Sequence, residues 1–139
     1  MNASHPTAEA LSLPAIKTQA LAPYRSLSEV TASVERLAEK AEGTVRIIGH
    51  SVQKRPIQAV HLHGMVHNAP SLLVCANIHG IEYIAVEVAL GLLQQAGHSN
   101  SGIAQLREQA NVWIIPTLNP DAYEQTWRQN GCGVLSELR

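Results

Sequence analysis

Apolar residues recur at three- and four-residue spacing in the segment that begins near Ser26. The stripe consists of Leu27, Val30, Val34, Leu37 and Ala41. Charged residues fill half of the positions between them, so one face is apolar and the other polar. This spacing matches the 3.6-residue period of an α-helix with one buried face. We therefore predict an amphipathic helix that ends near Gly43, since glycine often lies just past a helix C-terminus.

Short segments with the composition of β-strands follow this helix. The first two, at 44–50 and 57–63, are rich in β-branched residues, and a polar connection joins them. The other two, at 71–77 and 111–116, are continuous apolar runs. Such runs are typical of strands that are buried on both faces. We therefore predict four strands, of which the last two are buried.

Helical patterns separate the two buried strands, at 81–96 and 103–109, and a turn is predicted at 117–124. Strands that alternate with helices predict an α/β domain whose mixed, mostly buried sheet is flanked by helices. Residues 1–23 contain three prolines and no sustained period. We predict that they form a flexible N-terminal tail in front of a domain at 24–139.

Composition narrows the class of protein. The chain has 139 residues, of which 45% are hydrophobic, and a net charge of −1. A net charge close to zero argues against a nucleic-acid partner, because domains that bind nucleic acids usually have an excess of basic residues. No apolar run is long enough to span a membrane, and the first twenty residues lack a secretory signal, so we expect a cytoplasmic protein.

The two cysteines, Cys75 and Cys132, are too few for a disulfide framework. We interpret Cys75 as a small core residue and Cys132 as a loop thiol.

The candidate chemistry lies where the third strand meets the next helix. His79 and Glu82 are three residues apart, with Gly80 between them. Residues at this spacing around a helix start lie on one side, so the imidazole and the carboxylate can converge on one cation. Zinc accepts both ligand types. The four residues alone also fit a glutamate that caps the helix beside a hydrogen-bonded histidine, and that interpretation is the commoner one.

Two other histidines have a spacing that can mimic a metal pair. His61 and His63 are two apart on a predicted strand and share one of its faces. We interpret them as solvent-facing polar residues on a half-exposed strand. Glu87 falls well past the helix start that holds Glu82, and we interpret it as a surface charge.

Several segments resemble the M14 zinc carboxypeptidases in order and spacing, from Tyr24 to about Val134. They are YRSLSEV, VRIIGHSVQKRPIQAV, LLVCANIHGIEYIAVEVALGLL and VWIIPTLNPDAYEQTWRQNGCGV. The resemblance implies a fold like the first half of a zinc-carboxypeptidase domain. It implies that His79 and Glu82 are two of the three protein ligands of one Zn²⁺ ion. It also implies that Arg128 donates to the oxyanion of the tetrahedral intermediate.

The same resemblance implies a hydrolase that takes the C-terminal residue from peptide substrates, by means of a zinc-bound water. The family's third ligand, a histidine, and its general-base glutamate lie in the second half of the domain. We therefore expect the isolated chain to be inactive or very weak. Where the family continues past the GCGV segment with an Asp and an Asn-Arg pair, this sequence has LSELR.

Other functions remain compatible with these residues. The chain can be a non-catalytic module that binds peptides or carboxylates, one part of an enzyme completed by another chain, or a relative of the amino-acid deacylases. An uncovered sheet edge would make the isolated chain marginally stable, aggregation-prone or dimeric.

Overall fold

A computed structural model describes residues 24–125 of the chain. Helices and strands in that range follow one another as α1 (Leu27–Lys40), β1 (Thr44–His50), β2 (Pro56–Leu62), β3 (Ser71–Cys75), α2 (Tyr83–Ala96), α3 (Gly102–Arg107), β4 (Asn111–Ile115) and α4 (Pro120–Gln125). The sequence pattern predicts every element except α4, where it predicts a turn. The turn at 117–119 is present, but the chain then continues as a short helix.

The sheet has the strand order β1-β2-β4-β3. The β1–β2 and β2–β4 pairs are antiparallel, whereas β3 and β4 are parallel. A parallel pair needs a crossover connection, and α2 together with α3 provides it. The predicted α/β class with a mixed sheet is therefore confirmed.

The hydrophobic core lies between the two central strands and helices α1 and α2. Alternate residues of β2 and β4 point into it and are fully buried; they are Val60, Leu62, Val112 and Ile114. Val34 of α1 and the residues Val86 and Leu93 of α2 belong to the same cluster. The apolar stripe predicted for α1 is thus the face that packs on the sheet.

Local sequence fixes the start of α1, whereas packing on β2 constrains the chain at its end. Its N-cap is Ser26, which forms a capping box with Glu29. After Lys40 the chain turns through Glu42, whose φ of 53° is left-handed. Gly43 is needed for a different reason from the one expected: a Cβ there would lie 2.8 Å from the Leu62 Cδ2 atom. Glycine therefore allows the end of the helix to approach β2 closely.

Strand β3 differs from the prediction. The apolar run at 71–77 predicts burial on both faces, but β3 is the outer strand of the described sheet and pairs there with β4 alone. Leu73 is 59% exposed, and Cys75 is also exposed and is not a core residue. An apolar run indicates that a strand can be buried, but it does not determine how many other strands and helices pack against it. The prediction is confirmed for β4, where Val112, Ile114 and Ile115 are buried.

Two further expectations concern the limits of the chain. The predicted tail at 1–23 lies outside the described residues, and the domain limits of 24–139 stay a prediction. Within residues 24–125, no helix combines the length and the apolar character that a membrane crossing requires.

Candidate metal centre

The loop at 76–82 joins the carboxyl end of β3 to the start of α2 and brings His79 and Glu82 together. The His79 Nδ1 atom lies 2.7 Å from the Glu82 Oε1 atom. The two side chains are 34% and 48% exposed, so both are open to solvent. The carboxyl end of a strand, where an α/β sheet commonly binds ligands, thus presents one nitrogen and one oxygen side by side.

These two atoms suit a zinc ion. Zinc binds histidine nitrogen and carboxylate oxygen at about 2.0–2.2 Å in tetrahedral geometry, which places two such ligand atoms roughly 3.4 Å apart. The observed separation of 2.7 Å is that of a direct hydrogen bond and is shorter than this value, so the two side chains would have to move apart to admit the ion. Within residues 24–125 no group of three His, Cys, Asp or Glu side chains is arranged to hold a metal. Among the described residues, His79 and Glu82 are therefore at most a pair of candidate ligands.

The capping interpretation of Glu82 can be compared with its geometry. Glu82 occupies the N-cap position of α2, but its side chain makes no cap hydrogen bond. The carboxylate faces the His79 imidazole instead. A capping role would require a bond to an amide of the first helical turn. The geometry thus lacks the helix cap of that interpretation but contains its hydrogen-bonded histidine.

The loop is fastened to the chain that follows β4. The Ala76 amide donates to the Ile115 carbonyl (2.9 Å), and the Leu118 amide donates to the Ala76 carbonyl (3.0 Å). The ladder between β3 and β4 therefore continues beyond both strands. As a result, the loop that holds His79 has a fixed position relative to the turn at 117–119.

Asp121 is a buried carboxylate near this turn, and sequence reasoning did not single it out. It is 0% exposed and accepts hydrogen bonds from the Ser51 hydroxyl (2.7 Å), the Gln53 amide (3.0 Å) and the Arg55 guanidinium (2.7 Å). Burial raises the pKa of this carboxyl, but the three donors and the arginine charge outweigh burial and hold the pKa below its usual value. Asp121 therefore ties the β1–β2 connection to the start of α4.

A zinc carboxypeptidase family model matches residues 30–135, which is more than half of the chain. The chain belongs to the zinc carboxypeptidase family. It is 28% identical over 123 residues to a zinc carboxypeptidase of Saccharothrix mutabilis subsp. capreolus, and 26% identical over 113 residues to carboxypeptidase B2 of Rattus norvegicus. Each alignment covers 77% of this chain. The aligned part is only 28% of the length of the Saccharothrix protein and 27% of the length of the rat protein.

Solved structures agree with this family membership. A metallo-carboxypeptidase from Pseudomonas aeruginosa, in complex with (2-guanidinoethylmercapto)succinic acid, superimposes with a TM-score of 0.63 at 26% identity and covers 78% of this chain and 28% of its own. The carboxypeptidase A of Helicoverpa armigera gives a TM-score of 0.67 at 21% identity, over 83% of this chain and 31% of its own. The second likeness concerns the fold alone. The expected similarity to part of a zinc-carboxypeptidase domain is confirmed.

In this carboxypeptidase-family chain, His61 and His63 do not converge as a metal pair. Their rings are in contact, with centroids 3.9 Å apart, and the His61 ring also stacks on Trp113. The His61 Nε2 atom faces Asn111 on one side of β2, whereas the His63 Nε2 atom faces Thr44 on the other. Partial burial lowers the pKa of His61 despite the Asn111 contact, and the nearby charges of His63 and Arg46 lower it further. The expected exposure holds for His63, while His61 is half-buried.

Glu87 is not the surface charge that its position predicts. Its side chain is half-buried and forms an ion pair with Arg25, which joins the chain just before α1 to the middle of α2. The ion pair links residues 62 positions apart, so helix periodicity alone could not identify it. Arg128 and Cys132 lie outside the described residues, and the expectations about them stay predictions.

Proposed function

We propose that this chain forms part of the zinc site of a metallocarboxypeptidase, with His79 and Glu82 as two of the ligands. The observation that supports the proposal most directly is the 2.7 Å separation of the His79 Nδ1 and Glu82 Oε1 atoms beyond the carboxyl end of β3. Membership of the zinc carboxypeptidase family makes zinc the expected ion. The relatives described above are named as carboxypeptidases, which favours peptide substrates over the acyl-amino acids of a deacylase.

The chemistry assigns a role to each side chain. His79 would bind the ion as a neutral imidazole through a ring nitrogen, and Glu82 would bind as a carboxylate whose negative charge partly offsets that of the cation. When bound, zinc lowers the pKa of a water ligand and polarises the scissile carbonyl at the C-terminal residue of a peptide. Arg128 would donate to the oxygen on which negative charge develops, because a planar guanidinium suits that position.

The isolated chain should bind zinc weakly. A catalytic zinc site normally has three protein ligands, whereas the described residues provide a pair. A third ligand and a general base would have to be added before the site could hydrolyse a peptide efficiently. We therefore propose that the 139-residue chain alone has little or no peptidase activity.

Isothermal titration with zinc tests the ligand assignment. We expect weak binding by the wild-type chain, and at least a roughly tenfold loss of affinity in His79→Ala and in Glu82→Ala, because each removes one of two ligands. His98→Ala is the matched control, since His98 is an exposed histidine in the loop after α2. His63→Ala separates the proposed site from binding at the His61–His63 pair.

The ligand assignment would be abandoned if His79→Ala bound zinc as tightly as the wild-type chain. Loss of binding in His63→Ala alone would place the metal at the His61–His63 pair. Unchanged affinity in both the His98 and the His63 variants, with loss in the His79 and Glu82 variants, is the expected result.

A further inference from the structure

Asn77 lies between β3 and the candidate ligands and has an unusual combination of properties. It is 1% exposed, although its side chain is a polar amide. Its φ of 56° lies in the left-handed region, which asparagine tolerates better than most residues. Buried polar side chains in strained backbone are uncommon unless neighbouring groups require them.

The side-chain amide of Asn77 bonds to the turn that presents the ligands. Its Nδ2 atom donates to the His79 carbonyl (3.0 Å) and to the Gly80 carbonyl (3.1 Å). Since both partners are acceptors, the nitrogen of the amide must be the end that faces them. The His79 carbonyl also accepts from the Glu82 amide at 3.0 Å, so one oxygen links Asn77 to both candidate ligands.

Asn119 holds Asn77 from the other side. The Asn119 backbone amide donates to the Asn77 backbone carbonyl (3.1 Å). The Asn119 side-chain amide donates to the Ile78 carbonyl (3.2 Å). The Asn119 Oδ1 atom accepts from the Ala122 amide at the start of α4. The turn that carries His79 is therefore connected through Asn77 to a second, helix-anchored turn.

We propose that Asn77 is a positioning residue for the metal-ligand pair, an inference that rests on the proposed function. Its two donated hydrogen bonds hold the turn at 79–82 in the shape that places the imidazole beside the carboxylate. Without them, the Gly80 carbonyl loses its partner from Asn77, and the bond between the Glu82 amide and the His79 carbonyl opens more often. A ligand pair that must be ordered when the ion arrives binds it less tightly than one that is already in place.

Two variants separate the side-chain bonds from the backbone conformation. Asn77→Gly removes the amide and keeps the left-handed backbone accessible, since glycine has no Cβ. Asn77→Asp keeps the size and shape but replaces the donating nitrogen with an oxygen. Asn68→Gly is the matched control, because Asn68 has a φ of 59° and lies in an exposed loop.

Each variant is measured in two ways. Zinc titration should give a roughly tenfold lower affinity for both Asn77 variants and no change for Asn68→Gly. Hydrogen exchange of the Glu82 amide, measured by NMR without metal, should be faster in both Asn77 variants and unchanged in Asn68→Gly. Far-UV circular dichroism verifies that each variant remains folded.

Wild-type zinc affinity in Asn77→Gly, in a protein whose His79→Ala variant loses zinc, would overturn the positioning role. A slower or unchanged exchange rate in that variant would do so by itself, because it tests the turn in the absence of metal. If His79→Ala leaves zinc binding unaltered, the proposed function fails. The exchange of the Glu82 amide then decides on its own whether Asn77 holds the turn.

Discussion

At the scale of single residues, Asp121 links two segments that are far apart in sequence. Its carboxylate is 70 positions from Ser51, yet the two side chains are hydrogen-bonded. The connection between β1 and β2 also supplies the Gln53 amide and the Arg55 guanidinium. A fully buried carboxylate is stable only with such partners, because leaving a charge buried and unpaired is costly.

Asp121→Asn should lower the free energy of unfolding by about 3 kcal/mol at neutral pH, because it removes the charge and presents a donor to groups that are themselves donors. Chemical denaturation followed by circular dichroism measures this. Glu124→Gln, an exposed carboxylate on the same helix, is the control and should change stability by less than about 0.5 kcal/mol.

The stability cost of Asp121→Asn should also depend on pH. The pKa of Asp121 is lower in the folded protein than its ordinary value, so its contribution is present above about pH 4 and is lost as the pH falls through the folded pKa. The stability difference between the wild type and Asp121→Asn should therefore be largest at neutral pH and shrink in acid. A difference that stayed constant down to pH 2 would contradict the charge-based explanation.

At the scale of elements, α1 is the one that its own sequence specifies most completely. Its apolar spacing sets the buried face, and Ser26 with Glu29 sets its first residue. The Ser26 amide donates to the Glu29 carboxylate (2.7 Å), while the Glu29 amide donates to the Ser26 hydroxyl (3.3 Å). Hydrogen bonding to the Ser26 backbone and side chain lowers the pKa of Glu29.

Ser26→Ala should destabilise the chain by about 1 kcal/mol, since it leaves the Glu29 amide in the first turn without its acceptor. Thermal unfolding is a suitable measurement. Glu29→Ala should destabilise in the same direction, and Glu39→Ala serves as its control because Glu39 is an exposed glutamate near the other end of the helix. Equal effects of the two glutamate substitutions would mean that the capping box contributes nothing.

Strand β3 is the opposite case at this scale. Its own residues give the strand type and its position in the chain, but its exposure depends on neighbours that its sequence does not describe. Leu72 and Leu73 are exposed because β3 lies at the edge of the described sheet. The same applies to Cys75, which its alternation within an apolar run led us to interpret as core.

At the scale of the molecule, exposed apolar side chains lie on the elements around the candidate metal centre. In the loop after β3 and on α2 they are Ile78, Ile81, Ile84 and Val88; Leu72 and Leu73, on opposite faces of β3, are exposed as well. Exposed apolar surface commonly marks an interaction site or favours aggregation. The dimer that the sequence led us to expect stays a prediction, as does the cytoplasmic location.

Ile84→Lys should raise the solubility of the isolated chain while leaving its stability within about 0.5 kcal/mol, because Ile84 is 62% exposed on α2. The concentration of polyethylene glycol that precipitates half of the protein measures solubility. Val52→Lys is the control: Val52 is 74% exposed but lies in the connection between β1 and β2, away from these elements. A similar gain in both variants would mean that added charge, and not the apolar side chains around the candidate metal centre, determines solubility.

The sequence by itself determined the α/β class, the order and limits of most elements, and the His79–Glu82 spacing. These features depend on local periodicity and on motifs that are short in sequence. The tertiary structure decided which apolar strand is covered, how Asp121 is neutralised, and that Asn77 supports the turn between the two candidate ligands. The physical reason is the same in each instance: these properties depend on contacts between segments that are distant in sequence, and no local pattern records which segment will be the neighbour.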